Sequence, residues 1–178
     1  FHGIGILQKL FRATVRTRFR IDLRVVRFVV GTSVFAAMKY RLEHANFCVR
    51  DVDGMIRFLQ TAFPDFHVRR DETTDQRRWV HVGTDDVYIA LFEARAEPAE
   101  QWEPYSGKPG VNHLAFEVDD ADGLRERMLG AEFEESTPPN SHPHRRRVYF
   151  LDPEGNDWEF VQYLTDDRKL RHDYELPG

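Results

Sequence analysis

The stretch His44–Gly54 reads HANFCVRDVDG, and the stretch His113–Gly123 reads HLAFEVDDADG. The two share His44 with His113, Phe47 with Phe116, Val49 with Val118, Asp51 with Asp120, Asp53 with Asp122 and Gly54 with Gly123. A single offset of 69 residues relates every pair. A fixed internal period marks a duplicated structural unit and has to be settled before single elements are read. Each copy opens with alternation suited to a strand with one buried face. Aspartates follow that suit a helix N-terminus, and then apolar residues recur at helical spacing.

Outward from the first copy, Pro64 stops the helix. DFHVRRDE (65–72), RRWVHVG (77–83) and VYIALFEA (87–94) then read as strands, separated by the turn signals TTDQ and TDD. The second copy continues in the same order. VNHLAFEV (111–118) is a strand, DADGLRERML (120–129) a helix closed near Gly130, and EFEEST (132–137) precedes the loop PPNSHPH. RRRVYFL (145–151) and DWEFVQYL (157–164) are strands joined by the turn DPEGN. The pattern predicts an α+β fold of two tandem βαβββ modules. Its parts are a basic N-terminal extension (1–39), a first module (40–95), a linker loop (96–109), a second module (110–164) and a C-terminal tail (165–178).

Forty-one per cent hydrophobic residues in 178 suit a globular body with an ample core. Cys48 is the only cysteine, so a reducing, cytoplasmic compartment is the default. The longest apolar run, Phe28 to Ala37, is about half of what a membrane span needs. Charge is uneven: residues 1–37 carry +6 and the remainder −11. An acidic body argues against nucleic acid, whose binding relies on Lys/Arg neutralising phosphates. The basic segment has three readings: a transit peptide, a non-native extension upstream of Met38, or an extra element docked on the body. No function is placed in it.

Two such modules, each with a histidine on its first strand, resemble the vicinal oxygen chelate superfamily. It includes glyoxalase I, extradiol dioxygenases, fosfomycin-resistance enzymes and bleomycin-resistance proteins. The resemblance rests on EHANF, NHLAFEV and VYFLDPEGNDWEF and covers roughly residues 40–164. It implies a curved mixed sheet around a metal-centred cleft, and a homodimer whose sites are sometimes completed by modules from two chains.

The resemblance also implies metal ligands at His44, His113 and Glu159. The repeat relates Glu159 to position 90, where glyoxalase I would place a glutamate and this chain has alanine. Glu93 is no substitute, because residues three apart point to opposite faces of a strand. Two imidazoles and one carboxylate suit a divalent ion such as Fe, Mn, Zn, Co or Ni, with coordination positions left open. Chance placement of some of the eight histidines beside acids is the plain alternative.

Alternation turns Asn46 to the face of His44, Glu117 to that of His113, and Tyr88 and Phe92 to that of Ala90. If Val148 and Phe150 pack under a helix, Arg147 and Tyr149 face the cavity. Tyr149, which resembles a substrate-contacting tyrosine of fosfomycin-resistance members, is then placed to donate a hydrogen bond or proton to an oxyanion. Arg147 is placed to hold a carboxylate or phosphonate. Packing alone at Tyr149, and a solvated edge charge at Arg147, stay open. The HPH at 142–144 lacks a third ligand at useful spacing, and His67, His81 and His172 have no constellation. Trp102, Tyr105 and Lys108 in the linker are placed to cap a pocket, though nothing in the sequence requires it.

Two functions follow. One is a metal-dependent enzyme, a lyase, dioxygenase or transferase, acting on a small oxygen-rich substrate. Ala90 weighs against an isomerase that uses a glutamate there. No His spacing for a dioxygenase acid–base residue and no Ser/Gly-rich potassium loop of the fosfomycin kind is found. The other is a binding protein of the bleomycin-resistance type that sequesters a drug. Stoichiometric metal would separate them.

Overall fold

The computed structural model describes residues 42–96, 103–140 and 142–176. The chain divides into two units, Phe1–Arg41 and Leu42–Gly178. The first unit, with the basic extension, lies outside the described residues, as does Trp102. In the second, the elements run β1 (His44–Val49), α1 (Val52–Ala62), β2 (His67–Thr73), β3 (Arg78–Gly83), β4 (Tyr88–Glu93), β5 (His113–Glu117), α2 (Ala121–Gly130), β6 (Glu135–Thr137), β7 (Arg145–Leu151) and β8 (Asp157–Tyr163). Both copies are thus βαβββ modules. A single helical turn, α3 (Arg168–Arg171), follows in the tail and was not anticipated.

Each module forms its own mixed sheet, in the order β1-β4-β3-β2 and β5-β8-β7-β6. β1 pairs parallel with β4, and β5 with β8; the remaining ladders are antiparallel. One curved sheet was expected. The strands instead stay in two separate sheets, because β1 and β5 each end their own sheet.

The repeated Asp and Gly have one physical cause. Asp51 and Asp120 are N-caps whose carboxylates accept from the backbone N–H of Gly54 (2.8 Å) and Gly123 (2.9 Å). A Cβ on either glycine would collide with that carboxylate. The shared Asp and Gly give each helix start a cap and the room for it.

The helices meet between the sheets, and both modules share one core. Phe58 of α1 lies edge-on to Phe133 (5.1 Å) and against Trp158 of β8 (5.6 Å). Arg127 of α2 donates to the carbonyls of Thr61 and Ala62, and Arg57 of α1 to that of Ala131. The DPEGN turn is organised by Asp152. Its carboxylate accepts from the N–H groups of Glu154 and Asn156, from Asn156 Nδ2 and from the buried Trp158 Nε1. Gly155 takes the left-handed conformation that closes the turn (φ 85°). With both helical sides spent on the shared core, each sheet keeps one face turned away from it.

Candidate functional site

Those outer faces carry the residues singled out from the sequence. On β1, His44, Asn46 and Cys48 are exposed while Phe47 and Val49 pack inward. On β7, Val148 and Phe150 are buried, so Arg147 and Tyr149 take the outer face, beside Glu159 of β8. Ala115 is the register partner of Glu159 on the other side. That small side chain leaves room between Glu159 and His113, whose Oε2 and Nε2 lie 3.2 Å apart.

Tyr149 is the register partner of Glu159, and burial first, then the negative charge of Glu159, pushes its pKa up to about 12. The phenol therefore stays protonated at neutral pH and serves as a donor. Arg147 lies against the side-chain amide of Asn140, which accepts from its Nε at 2.9 Å when the amide is turned with its oxygen towards the guanidinium. Glu117 is ion-paired with Arg171 of α3, which also covers the ring of Tyr163. The tail thereby reaches the face that carries His113.

His113 has a second set of partners. Its Nδ1 lies 2.9 Å from the Tyr105 hydroxyl, which donates to Asp157 Oδ2 at 2.9 Å. Ser136 Oγ donates to the other oxygen of Asp157 at 2.6 Å. Tyr105 has φ 61°, a left-handed conformation costing a bulky residue roughly 1–3 kcal/mol, and its N–H is pinned by Asn112 Oδ1 at 2.8 Å. Burial, then Asp157, raises the Tyr105 phenol well above its ordinary pKa. Asp157 and Ser136 were not singled out from the sequence. Alternation offered one signal, since Asp157 precedes Glu159 by two and shares its face.

His44 sits on the other sheet. It stacks on Tyr88 (4.9 Å, 14° between planes), and its Nδ1 is bonded to Glu43. Beyond Tyr88 the face continues through His81 (4.6 Å), Trp79 (4.9 Å from His81) and Phe92 (6.5 Å from Trp79). Burial, then the charge of Arg69, lowers the pKa of His81 and favours its neutral form. Trp79 and His81 were also not expected here, though both lie on the Tyr88 side by alternation. Glu93 accepts from the N–H of Arg78 at 3.2 Å. His142 is buried, and its Nδ1 accepts from the N–H of His144.

His113 and Glu159 are therefore brought together, and His44 is not brought to them. Among the described residues, no group of three His, Cys, Asp or Glu side chains converges on one point. As a donor set for a divalent ion, an imidazole nitrogen and an acceptor-only carboxylate on adjacent strands fit part of a coordination sphere.

Two tandem βαβββ modules, each with its own mixed sheet, define the class of fold. The chain belongs to the Glyoxalase/Bleomycin resistance protein/Dioxygenase superfamily, whose family model matches residues 41–160. It is 27% identical over 137 residues to the fosfomycin resistance protein FosX of Mesorhizobium japonicum, covering 73% of this chain and 91% of that one. The crystal structure of FosX from Mesorhizobium loti superposes with a TM-score of 0.53 at 27% identity, over 69% of this chain and 91% of that one. A glyoxylase/bleomycin resistance protein/dioxygenase domain from Frankia sp. EAN1pec shares the fold, with a TM-score of 0.60 at 22% identity, over 75% and 98% of the two chains. No helix among the described residues is long and apolar enough to cross a membrane.

Proposed function

We propose that the chain is a metal-dependent enzyme acting on a small, oxygen-rich anion of the fosfomycin type, and that each site spans two copies. His113 and Glu159 of one chain and His44 of a second copy would hold the ion. The observation that carries this reading is the 3.2 Å approach of His113 Nε2 and Glu159 Oε2 on an open sheet face, while His44 lies on the face of the other sheet. Among the described residues of one chain, no third His, Cys, Asp or Glu side chain joins the His113–Glu159 pair. A two-fold pairing of chains would bring unlike faces together around a cleft.

When bound, a divalent ion polarises the oxygens of a chelating substrate and leaves open positions for it. The remaining work falls to the chain. Tyr149, protonated beside Glu159, donates to an oxyanion developing on the substrate. Arg147 offers a planar fork to a phosphonate or carboxylate. Asn46, Tyr88 and Phe92 line the opposite wall from the partner copy.

The test is turnover of fosfomycin followed by ³¹P NMR with Mn(II), in water alone and with added thiols. A new phosphonate resonance that needs both the metal and Glu159 is expected. Its absence across a panel of adjacent-oxygen substrates would remove the enzymatic reading.

One observation favours a second reading, sequestration of an aromatic ligand. The run His44–Tyr88–His81–Trp79–Phe92 gives the first sheet a stacking surface larger than a small epoxide needs. Unchanged ligand recovered from a tight complex would support it.

A further inference from the structure

We infer that Tyr105 and Asp157 form a hydrogen-bond relay that sets the tautomer of His113 and presents its Nε2 lone pair to the ion; this rests on the metal-binding reading above. A phenol has one proton. Here that proton is directed to Asp157 Oδ2, an acceptor-only group, at 2.9 Å. The oxygen lone pairs of Tyr105 are then what His113 Nδ1 meets at 2.9 Å, so Nδ1 has to be the protonated nitrogen. In the neutral ring, Nε2 is left bare, and Nε2 is the atom 3.2 Å from Glu159 Oε2. A bare nitrogen and a carboxylate repel each other unless a cation lies between them.

The relay is built rather than incidental. Asp157 is only 4% exposed, and each of its oxygens has a donor, Ser136 on one and Tyr105 on the other. Asp157 is also the direct register partner of His113 in the parallel β5–β8 ladder. The left-handed turn at Tyr105, fixed by Asn112, returns the linker to His113. The first module reaches the same end differently. The register partner of His44 is Tyr88, which stacks on it, and Glu43 takes its Nδ1 directly. Both histidines thus have Nδ1 occupied by a neighbouring side chain. Outer-shell partners of this kind orient a ligand and raise its basicity, and losing one typically lowers metal affinity about 10–100-fold.

Tyr105 and Asp157 are positioning residues, and the test reads His113 itself. Long-range ¹H–¹⁵N NMR on the metal-free full chain, followed across a pH series, reports the tautomer of each ring in its neutral form; His113 is assigned by loss of its signals in His113→Gln. Wild type is expected to show the Nδ1–H form, and Tyr105→Phe a mixture. Calorimetric titration with Mn(II) should show a drop of about 10-fold or more for Tyr105→Phe and for Asp157→Asn. Asp157 is buried and its variant risks misfolding, so Tyr105→Phe, which keeps the ring, decides. An unchanged tautomer in Tyr105→Phe overturns the relay, as does an unchanged Mn(II) affinity. If wild type binds no metal at all, the metal-binding reading fails, and the tautomer comparison still decides the relay.

Discussion

Glu154, in the turn between β7 and β8, accepts from the backbone N–H of Arg50 at 2.6 Å and from its Nε at 2.8 Å. The N–H of Asp51 adds a third bond at 2.9 Å. A side chain only 11% exposed thereby ties the second module to the start of α1 in the first. Burial alone would raise its pKa, but the donors of Asp51 and Arg50 outweigh burial and lower it.

With a lowered folded-state value, the contribution of Glu154 is present above its ordinary pKa of 4.5 and is lost as pH falls through the lowered one. Glu154→Gln should cost about 1–3 kcal/mol at neutral pH. The gap to wild type should shrink as pH falls below 4.5 and close once the lowered folded-state value is passed and the carboxyl is protonated. Urea unfolding across a pH series checks this, and a pH-independent gap would mean that the charge of Glu154 contributes nothing.

The capping explanation of the repeat makes a paired claim. Gly54→Ala and Gly123→Ala should each cost about 1 kcal/mol or more, because each new methyl displaces the carboxylate that caps its helix. Thermal melts of the two variants read it. A loss at one site and not the other would break the equivalence.

Tyr149→Phe should leave Mn(II) affinity within a few-fold of wild type while lowering turnover by about 100-fold, the usual contribution of a positioned proton donor.

A site shared between chains can be tested by complementation. His44→Ala and Glu159→Ala should each bind no metal at the site alone. Mixed and re-equilibrated, they should recover metal, because the heterodimer holds one intact His44 facing one intact His113–Glu159 pair. Loss of metal in both parents with no recovery in the mixture would put His44 with the pair of its own chain, and metal retained by His44→Ala would place the third ligand elsewhere.

Much of this molecule was legible in its sequence, for identifiable reasons. The 69-residue offset and strand alternation carry both modules, and Val148 and Phe150 under α2 correctly turn Arg147 and Tyr149 outward. Alternation, however, says which face a side chain takes and not what that face meets. It could not tell that His44 and Glu159 would lie apart within one chain. Tyr105 was placed only as a residue able to cap a pocket, because its contact depends on one left-handed residue in an aperiodic linker. The pairing of Arg171 with Glu117 depends likewise on a single turn of helix, too short to leave a period.

Metal content tests the central claim most directly, measured by mass spectrometry on protein purified without chelators. About one divalent ion per chain is expected, lost in His113→Ala and in Glu159→Ala. Wild-type protein that takes up no Fe(II), Mn(II), Zn(II), Co(II) or Ni(II) after reconstitution would contradict it.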